Sequence, residues 1–143
     1  GNGTQAAFER DGDLFFASTH QSPLYPGTGA ADERGVGNIF NAPLEPNTGS
    51  QEFRDAMQSK LFPALRSFAP QLILISAGFD AHNDDPLANL CLFEADYAWV
   101  TTELCQIAAE KCSGRVVSTL EGGYDLNALA SSAAAHVGAL MAA

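Results

Sequence analysis

The positions of the apolar residues along the chain predict four extended segments. Residues 13–18 (DLFFAS) and 38–44 (NIFNAPL) are short and apolar, with the aromatic and branched side chains typical of strands. Residues 71–76 (QLILIS) and 115–120 (RVVSTL) contain continuous runs of branched apolar side chains. Such runs are typical of parallel strands covered on both faces, so we expect these two strands to be buried.

Three further segments have the residue spacing of helices. Residues 51–68 carry apolar side chains three or four positions apart, with Ser50 as a candidate N-cap, and Pro63 is expected to kink or split this helix. A second helical pattern covers residues 94–112, and an alanine-rich run covers 126–141. Helices that alternate with strands predict a doubly wound α/β arrangement, and 143 residues suffice for one such core.

Glycine and proline dominate two other stretches. The opening GNGTQ has the composition of a loop. Because no helix or strand precedes it, we expect the sequence to be a piece of a longer chain. Residues 19–38 are dense in Gly, Pro and Asp and predict a long surface loop. Loops of this length in compact domains are usually functional or disordered.

The predicted topology indicates where a site would lie. In open α/β sheets, ligands bind outside the carboxyl ends of the strands. Two loops follow the two buried strands, namely residues 76–87 (SAGFDAHNDDPL) and residues 121–125 (EGGYD). Both contain side chains that bind metals or transfer protons, and we expect them to face one pocket.

Composition narrows the classes of function. Seven basic and seventeen acidic residues give a net charge of −10, which argues against nucleic acid as a partner because such surfaces need a basic stripe. No apolar window is long enough to span a bilayer, so no membrane partner is expected. The three cysteines form no CxxC pair, which argues against a disulfide framework and favours a cytoplasmic location. Cys105 and Cys112 lie seven residues apart on the predicted helix and are expected to be small core residues.

Asp80 is the strongest candidate metal ligand. Gly78 lets the backbone turn after the strand, and a carboxylate at the rim of a sheet suits Zn²⁺, Mg²⁺ or Mn²⁺ as one ligand of several. The alternative is an N-cap or an Asx turn, in which Asp is common. His82 could face the same ion or form hydrogen bonds within the loop, and Asp84 and Asp85 are expected to brace a turn.

Tyr124 is the candidate hydrogen-bond donor to the substrate. It follows Gly122 and Gly123, which would let a substrate approach the backbone closely. A tyrosine hydroxyl is a good donor to a developing oxyanion, whereas the alternative is an aromatic side chain that anchors a turn. His20 and His136 have no partner that the sequence identifies.

Four segments, in this order, resemble the histone deacetylase superfamily: GNGTQAAF, STHQSPLYPGTG, LILISAGFDAHNDDPL and LEGGYDL. The chain is most similar to the bacterial class II-like amidohydrolases related to acetoin utilisation proteins and acetylpolyamine deacetylases. The resemblance implies the arginase/deacetylase fold, a three-layer α/β/α arrangement with a mainly parallel sheet, of which residues 1–143 would be the C-terminal part. It also implies zinc-dependent hydrolysis of an acetylated amine such as acetyl-lysine or an acetylpolyamine.

The resemblance assigns roles residue by residue. Asp80 matches a zinc ligand, and Tyr124 matches the catalytic tyrosine that stabilises the tetrahedral oxyanion. Tyr25 and Leu87 match positions that line the narrow tunnel for the acylated side chain. Two glycines match the backbone lining beside the tyrosine: Gly122 and Gly123.

Structural K⁺ or Na⁺ sites are implied as well. One set would coordinate a cation through main-chain carbonyl groups: Phe8, Asp11, Leu14 and Asn38. Part of a second site would come from Ser18 and Thr19.

The chain departs from the family at its beginning. In the family, an Asp-x-His segment and a pair of histidines precede GNGT, and they supply the other two zinc ligands and the general base and acid. Because catalytic zinc sites normally use three protein ligands, we expect this chain to be inactive alone.

Three hypotheses stay open from the sequence. The first is the C-terminal part of a zinc deacetylase. The second is a non-catalytic binding or scaffold fragment that pairs with a separate N-terminal half. The third, binuclear-manganese ureohydrolase chemistry, is disfavoured because it would need more acidic ligands around Asp80. An incomplete parallel sheet would also leave an open edge, which predicts self-association.

Overall fold

The computed structural model describes residues 1–143, and its strands and helices alternate as the sequence predicts. The strands are β1 (Phe16–Gln21), β2 (Ile39–Leu44), β3 (Ile73–Ala77) and β4 (Val116–Leu120). The helices are α1 (Asn2–Phe8), α2 (Ser50–Ala56), α3 (Phe62–Phe68), α4 (Glu94–Cys112) and α5 (Leu126–Met141). None of these helices combines the length and the apolarity that crossing a membrane would require.

The strands form two parallel pairs. β1 pairs with β2, with Phe16 opposite Ile39, and β3 pairs with β4, with Ile73 opposite Val116. Parallel neighbours need a crossover connection, which α4 and the loop before it provide between β3 and β4. The loops that follow β3 and β4 therefore leave the same edge of the sheet, as expected.

The opening of the chain is helical, so the prediction of a loop was wrong. α1 has only seven residues and buries none of them, which explains why no apolar periodicity announces it. Its position is fixed by a side-chain contact instead. Gln5 Oε1 accepts a hydrogen bond from Asn41 Nδ2 at 2.9 Å, and Asn41 belongs to β2.

The long helical segment is split, as Pro63 led us to expect. A π-helical turn, Met57–Leu61, separates α2 from α3 directly ahead of the proline. Proline lacks the N–H for a helical hydrogen bond and its ring clashes with the carbonyl four residues earlier, so a locally wider turn relieves both problems. The cap prediction was wrong: Gly49 is the N-cap, and Ser50 Oγ donates to Asp96 Oδ2 at 2.6 Å.

The hydrophobic core lies between the helices and one face of the strands. It contains large side chains from α2, α3, α4 and the loop after β3, among them Phe53, Phe62, Phe79, Tyr97 and Ile107. The thiols of α4 are free and buried, as predicted: Cys105 and Cys112.

The other face of the β3–β4 pair is open, which corrects the prediction that both strands are fully buried. Leu74 is 71% exposed and its register partner Val117 is 54% exposed. Successive side chains of a strand point to opposite faces. The helices of this chain cover only one of them, the face where Ser118 of β4 meets His136 of α5.

Candidate functional site

The loops after β3 and β4 contact each other at the carboxyl end of the sheet. The Phe79 N–H donates to the Gly122 carbonyl at 2.8 Å, and the Glu121 N–H donates to the Ala77 carbonyl at 3.0 Å. These main-chain hydrogen bonds extend the pairing of the two strands by one step into the loops. The two loops that carry Asp80 and Tyr124 therefore adjoin.

Asp80 lies in a space that glycines leave open. A Cβ added at Gly122 would lie 2.5 Å from Asp80 Oδ2, and one added at Gly78 would lie 3.1 Å from Oδ1. Burial raises the pKa of Asp80, and the negative charge of Asp85 raises it further. A carboxylate in such surroundings is stabilised in its charged form by a nearby cation. These features fit Asp80 as one ligand of a metal ion.

The backbone ahead of Asp80 is fixed by two helices. Phe79 is buried, with its ring centroid 5.1 Å from that of Tyr97 on α4 and 5.8 Å from that of His136 on α5. The Tyr97 hydroxyl also donates to the Phe79 carbonyl at 3.2 Å. Burial raises the pKa of Tyr97 far above its ordinary value, so the hydroxyl keeps its proton. Tyr97 falls within the helix predicted for residues 94–112, but the sequence gave no signal for this contact.

His82 makes its hydrogen bond within its own loop. Its Nδ1 accepts from the Asp84 N–H at 3.1 Å, and its buried Nε2 has no hydrogen bond and lies 3.7 Å from Glu94 Oε1. Of the two alternatives open from the sequence, the structure shows the loop role. No group of three or more His, Cys, Asp or Glu side chains that could hold a metal occurs in the chain.

Asp85 braces its turn and also reaches the neighbouring loop. Its carboxylate is buried, and Oδ1 accepts from the Leu87 N–H at 2.9 Å. Oδ2 accepts from the Tyr124 N–H at 2.8 Å. The turn was expected from the sequence. The contact with Tyr124 was not, because it joins positions 39 residues apart.

The backbone on either side of Tyr124 is tightly constrained. Gly123 has a φ of +138°, and a Cβ there would lie 3.2 Å from the Cβ of Phe79, so this position requires glycine. On the other side, Asp125 caps α5 by accepting from the N–H groups of Asn127 and Ala128. The Tyr124 side chain itself is 56% exposed.

The two expected tunnel residues lie on different loops. Leu87 is 62% exposed on the loop after β3, whereas Tyr25 lies after β1 and is 93% exposed. The loop of Tyr25 is anchored by Glu33, whose carboxylate accepts from the Gly29 N–H at 3.0 Å and from the side chain of Gln5. The hydrogen bond from Gln5 lowers the pKa of Glu33.

His20 supports the same loop, and the sequence had given it no partner. Its Nε2 lies 2.9 Å from the Gly29 carbonyl oxygen, and its Nδ1 lies 3.0 Å from Ser18 Oγ. Ser18 and Thr19 both lie in β1. Their part in a second cation site stays a prediction.

The carbonyl groups expected to coordinate a structural cation converge on an amide. Asn38 Nδ2 lies 2.9 Å from the carbonyl oxygens of Phe8 and Asp11 and 2.8 Å from that of Leu14. The carbonyl of Asn38, the fourth expected ligand, accepts from the Phe16 N–H. The amide nitrogen lies at the point of convergence, and coordination of K⁺ or Na⁺ by these carbonyl oxygens stays a prediction.

Comparison with known proteins agrees with this architecture. The histone deacetylase domain matches residues 1–140. The chain is 43% identical over 145 residues to Histone deacetylase 14, chloroplastic, of Arabidopsis thaliana, covering 99% of this chain and 34% of that protein. It is 42% identical over 130 residues to a probable deacetylase of Archaeoglobus fulgidus, covering 88% of this chain and 36% of that protein.

A solved structure supports the same relationship. The crystal structure of the HDA15 HD domain superposes with a TM-score of 0.92 at 36% identity, covering 99% of this chain and 41% of that one. The chain thus spans about a third of the length of these relatives, which include plant and archaeal proteins and are not confined to bacteria. The chain has the α/β fold of the deacetylase domains and belongs to the histone deacetylase family.

Proposed function

We propose that this chain supplies one zinc ligand, the oxyanion donor and part of the substrate wall of a deacetylase that hydrolyses acetylated amines. The observation that carries the proposal is the joining of two loops at the carboxyl end of the β3–β4 pair. Hydrogen bonds from the Phe79 and Tyr124 N–H groups hold the loops of Asp80 and Tyr124 together. Ligands of α/β proteins bind at this edge of the sheet.

Each of the candidate site residues would have a separate role. Asp80 would contribute one carboxylate to the metal. Zinc, when bound, acts as a Lewis acid that polarises the acyl carbonyl and lowers the pKa of a water molecule. The Tyr124 hydroxyl would donate a hydrogen bond to the carbonyl oxygen as negative charge develops there. Leu87 and Tyr25 would line the path of the methylene chain.

The reaction is the hydrolysis of an amide. Water adds to the acyl carbon, the carbon–nitrogen bond breaks, and a proton passes to the departing nitrogen, which leaves acetate and an amine. Because the chain brings together no three metal-binding side chains, we propose that it is inactive alone. The remaining zinc ligands and the general base would come from segments like the part of its relatives that this chain does not cover.

A scaffold role is the second candidate, and the open face of the β3–β4 pair favours it. Parallel sheets are almost always covered on both faces, yet Leu74 and Val117 are exposed here. We propose that this sheet associates with another polypeptide, including a second copy of the chain. A cytoplasmic location stays a prediction, and one relative carries the word chloroplastic in its name.

Co-expression tests the enzymatic proposal. The chain would be produced with a polypeptide that carries the Asp-x-His and paired-histidine segments, and zinc content and acetate release from an acetyl-lysine peptide would be measured. We expect stoichiometric zinc and hydrolysis from the combined protein and neither from the chain alone. A combined protein that binds zinc but never releases acetate from any acylated amine would contradict the deacetylase proposal.

Tyr124→Phe tests the role of the hydroxyl. In the combined protein we expect kcat to fall on the order of 10²–10³-fold, as for loss of other oxyanion donors, while zinc content stays the same. Thr102→Val removes a hydroxyl from the exposed face of α4 and serves as the control, with kcat unchanged. An unaltered kcat in Tyr124→Phe would show that its assigned role is wrong.

A further inference from the structure

We infer that Asp85 is a positioning residue, which aims the oxyanion donor Tyr124 and the tunnel residue Leu87 with a single carboxylate. The inference rests on the proposed function for the meaning of those two residues. The positioning of the two main-chain segments by Asp85 depends only on hydrogen bonds within this chain. Leu87 and Tyr124 belong to different loops, and Asp85 is bonded to the main chain of both.

The Asp85 carboxylate is fully engaged in this task. The residue is 8% exposed, and each of its two oxygens accepts a main-chain N–H at 2.9 Å or less. Hydrogen bonds to an ionised acceptor are roughly twice as strong as those between neutral groups. A buried carboxylate without such donors would be costly, so the pair of hydrogen bonds and the burial of Asp85 depend on each other.

Tyr124 needs this support because its own side chain is largely unpacked. Its side chain is 56% exposed, so packing does not fix the direction of the phenol. The preceding Gly122 and Gly123 have the greatest backbone freedom of any residue type. The hydrogen bond to Asp85 fixes the peptide plane between Gly123 and Tyr124, and that plane sets the direction in which the tyrosine side chain leaves the backbone.

Leu87 depends on the same carboxylate. It is 62% exposed, and its N–H closes a turn with Asp85 two residues earlier. A shift of the Asp85 side chain would therefore move the donor to the substrate carbonyl and the wall of the tunnel together. This shared support distinguishes Asp85 from Asp84, which is exposed and whose main-chain N–H donates to His82.

Substitution by asparagine separates the two contacts. Asparagine has nearly the same shape, but it has one acceptor oxygen and one NH₂ group where aspartate has two acceptors. The NH₂ group would face a main-chain N–H, donor against donor. Asp85→Asn therefore keeps at most one of the two hydrogen bonds.

Amide hydrogen exchange in the unmodified chain tests the two hydrogen bonds that Asp85 accepts. We expect slow amide exchange at Tyr124 and Leu87 in the native chain, and faster exchange at one or both in Asp85→Asn. The amides of Asn127 and Ala128, which Asp125 caps, should be unchanged, and so should every site in the control Asp84→Asn. Fast exchange of Tyr124 in the native chain, or unchanged exchange in Asp85→Asn, would overturn the inference.

A double-mutant cycle tests the catalytic consequence in the combined protein. Misplacement of a catalytic group by about 1 Å can cost about 10²-fold, so we expect Asp85→Asn to lower kcat by roughly 10- to 100-fold. In a Tyr124→Phe background the same substitution should lower kcat no further. Losses that multiply would overturn the inference, because Asp85 would then act independently of Tyr124. If the combined protein is inactive, the proposed function fails, whereas hydrogen exchange still decides the geometry.

Discussion

At the scale of single residues, His136 shows how a buried polar group is satisfied. Its Nδ1 lies 2.6 Å from Thr101 Oγ1, and its Nε2 lies 2.8 Å from Ser118 Oγ. The Thr101 hydroxyl donates to the Tyr97 carbonyl, so it must accept from Nδ1–H, and the Ser118 hydroxyl donates to Nε2. The neutral ring therefore has both nitrogens bonded, and burial lowers the pKa of His136.

This lowered pKa predicts a loss of stability in mild acid. The folded-state pKa lies below the ordinary value of 6.5, so the unfolded chain binds the proton more readily. The contribution of His136 to the free energy of unfolding is present above about pH 6.5 and is lost as the pH falls through the folded-state pKa. We expect the drop in melting temperature between pH 7.5 and pH 5.5 to shrink in His136→Gln.

Gln106→Ala, a substitution on an exposed face of α4, is the control for this measurement. It should keep the pH dependence of the native chain. An equal drop in melting temperature in the native chain and in His136→Gln would show that His136 does not contribute.

The sequence was most informative about candidate site residues that are marked by a local sequence pattern. Asp80 and Tyr124 could be selected because each follows a predicted strand and a glycine, at the edge where ligands bind. The turn at Asp85 was predicted, but the distant contacts of Asp85, Tyr97 and Glu33 were not. Each acts through a hydrogen bond to a residue distant along the chain, and no local pattern records which distant backbone group will arrive beside a given side chain.

At the scale of secondary structure, the turn between α1 and β1 is organised around Asn38. An amide NH₂ has two hydrogens, yet three carbonyl oxygens lie within 2.9 Å of Nδ2. The partial positive charge of the amide NH₂ group therefore stabilises the three converging carbonyl oxygens. The amide nitrogen lies where the family resemblance expects a cation, and the binding of an ion there stays a prediction.

Asn38→Asp tests that interpretation. It would set a carboxylate oxygen against the carbonyl oxygens, and we expect a loss of about 1–3 kcal/mol in the free energy of unfolding in choline chloride. KCl at the same ionic strength should restore part of the loss, because a cation can then bridge the oxygens. The native chain should melt at the same temperature in both salts.

The control for this substitution is Gln106→Glu, which makes the same change of amide to carboxylate on an exposed face of α4. It should respond equally to both salts. A native chain that is specifically stabilised by K⁺ or Na⁺ over choline would show that an ion, and not the amide, holds this turn.

The predictability of the helices and strands follows from their length and burial. α4 and the strands were evident because a regular apolar pattern is needed to bury one face. α1 was missed because it buries nothing. The run LILI was misjudged for a related reason: residue type shows that a side chain favours burial, but it does not show whether this chain itself supplies the covering layer.

At the scale of the whole molecule, the open face of the β3–β4 pair predicts self-association. Leu74→Lys should shift sedimentation towards monomer at high protein concentration, because it places a charge in the centre of the apolar face. Added salt should strengthen association of the native chain, since each copy has a net charge of −10 and like charges are screened.

Gln106→Lys makes a similar change in charge on the exposed side of α4, on the opposite side of the sheet from Leu74. It should leave sedimentation unchanged. A native chain that stays monomeric at all concentrations and salt levels would show that this face does not bind a second copy.

The order of the elements along the chain separates substitutions in the loop of Tyr25 from substitutions in the loops after β3 and β4. Asp80, Asp85 and Tyr124 all follow β3 or β4, within one continuous stretch that ends with α5. Tyr25 lies in a loop whose anchors, Gln5, Glu33 and His20, all come from the first part of the sequence. Substitutions in residues 22–37 therefore leave the hydrogen bonds among the loops of Asp80, Asp85 and Tyr124 unchanged. Under the proposed function, such substitutions would alter the part of the substrate wall formed by Tyr25 and leave the proposed roles of Asp80 and Tyr124 as they are.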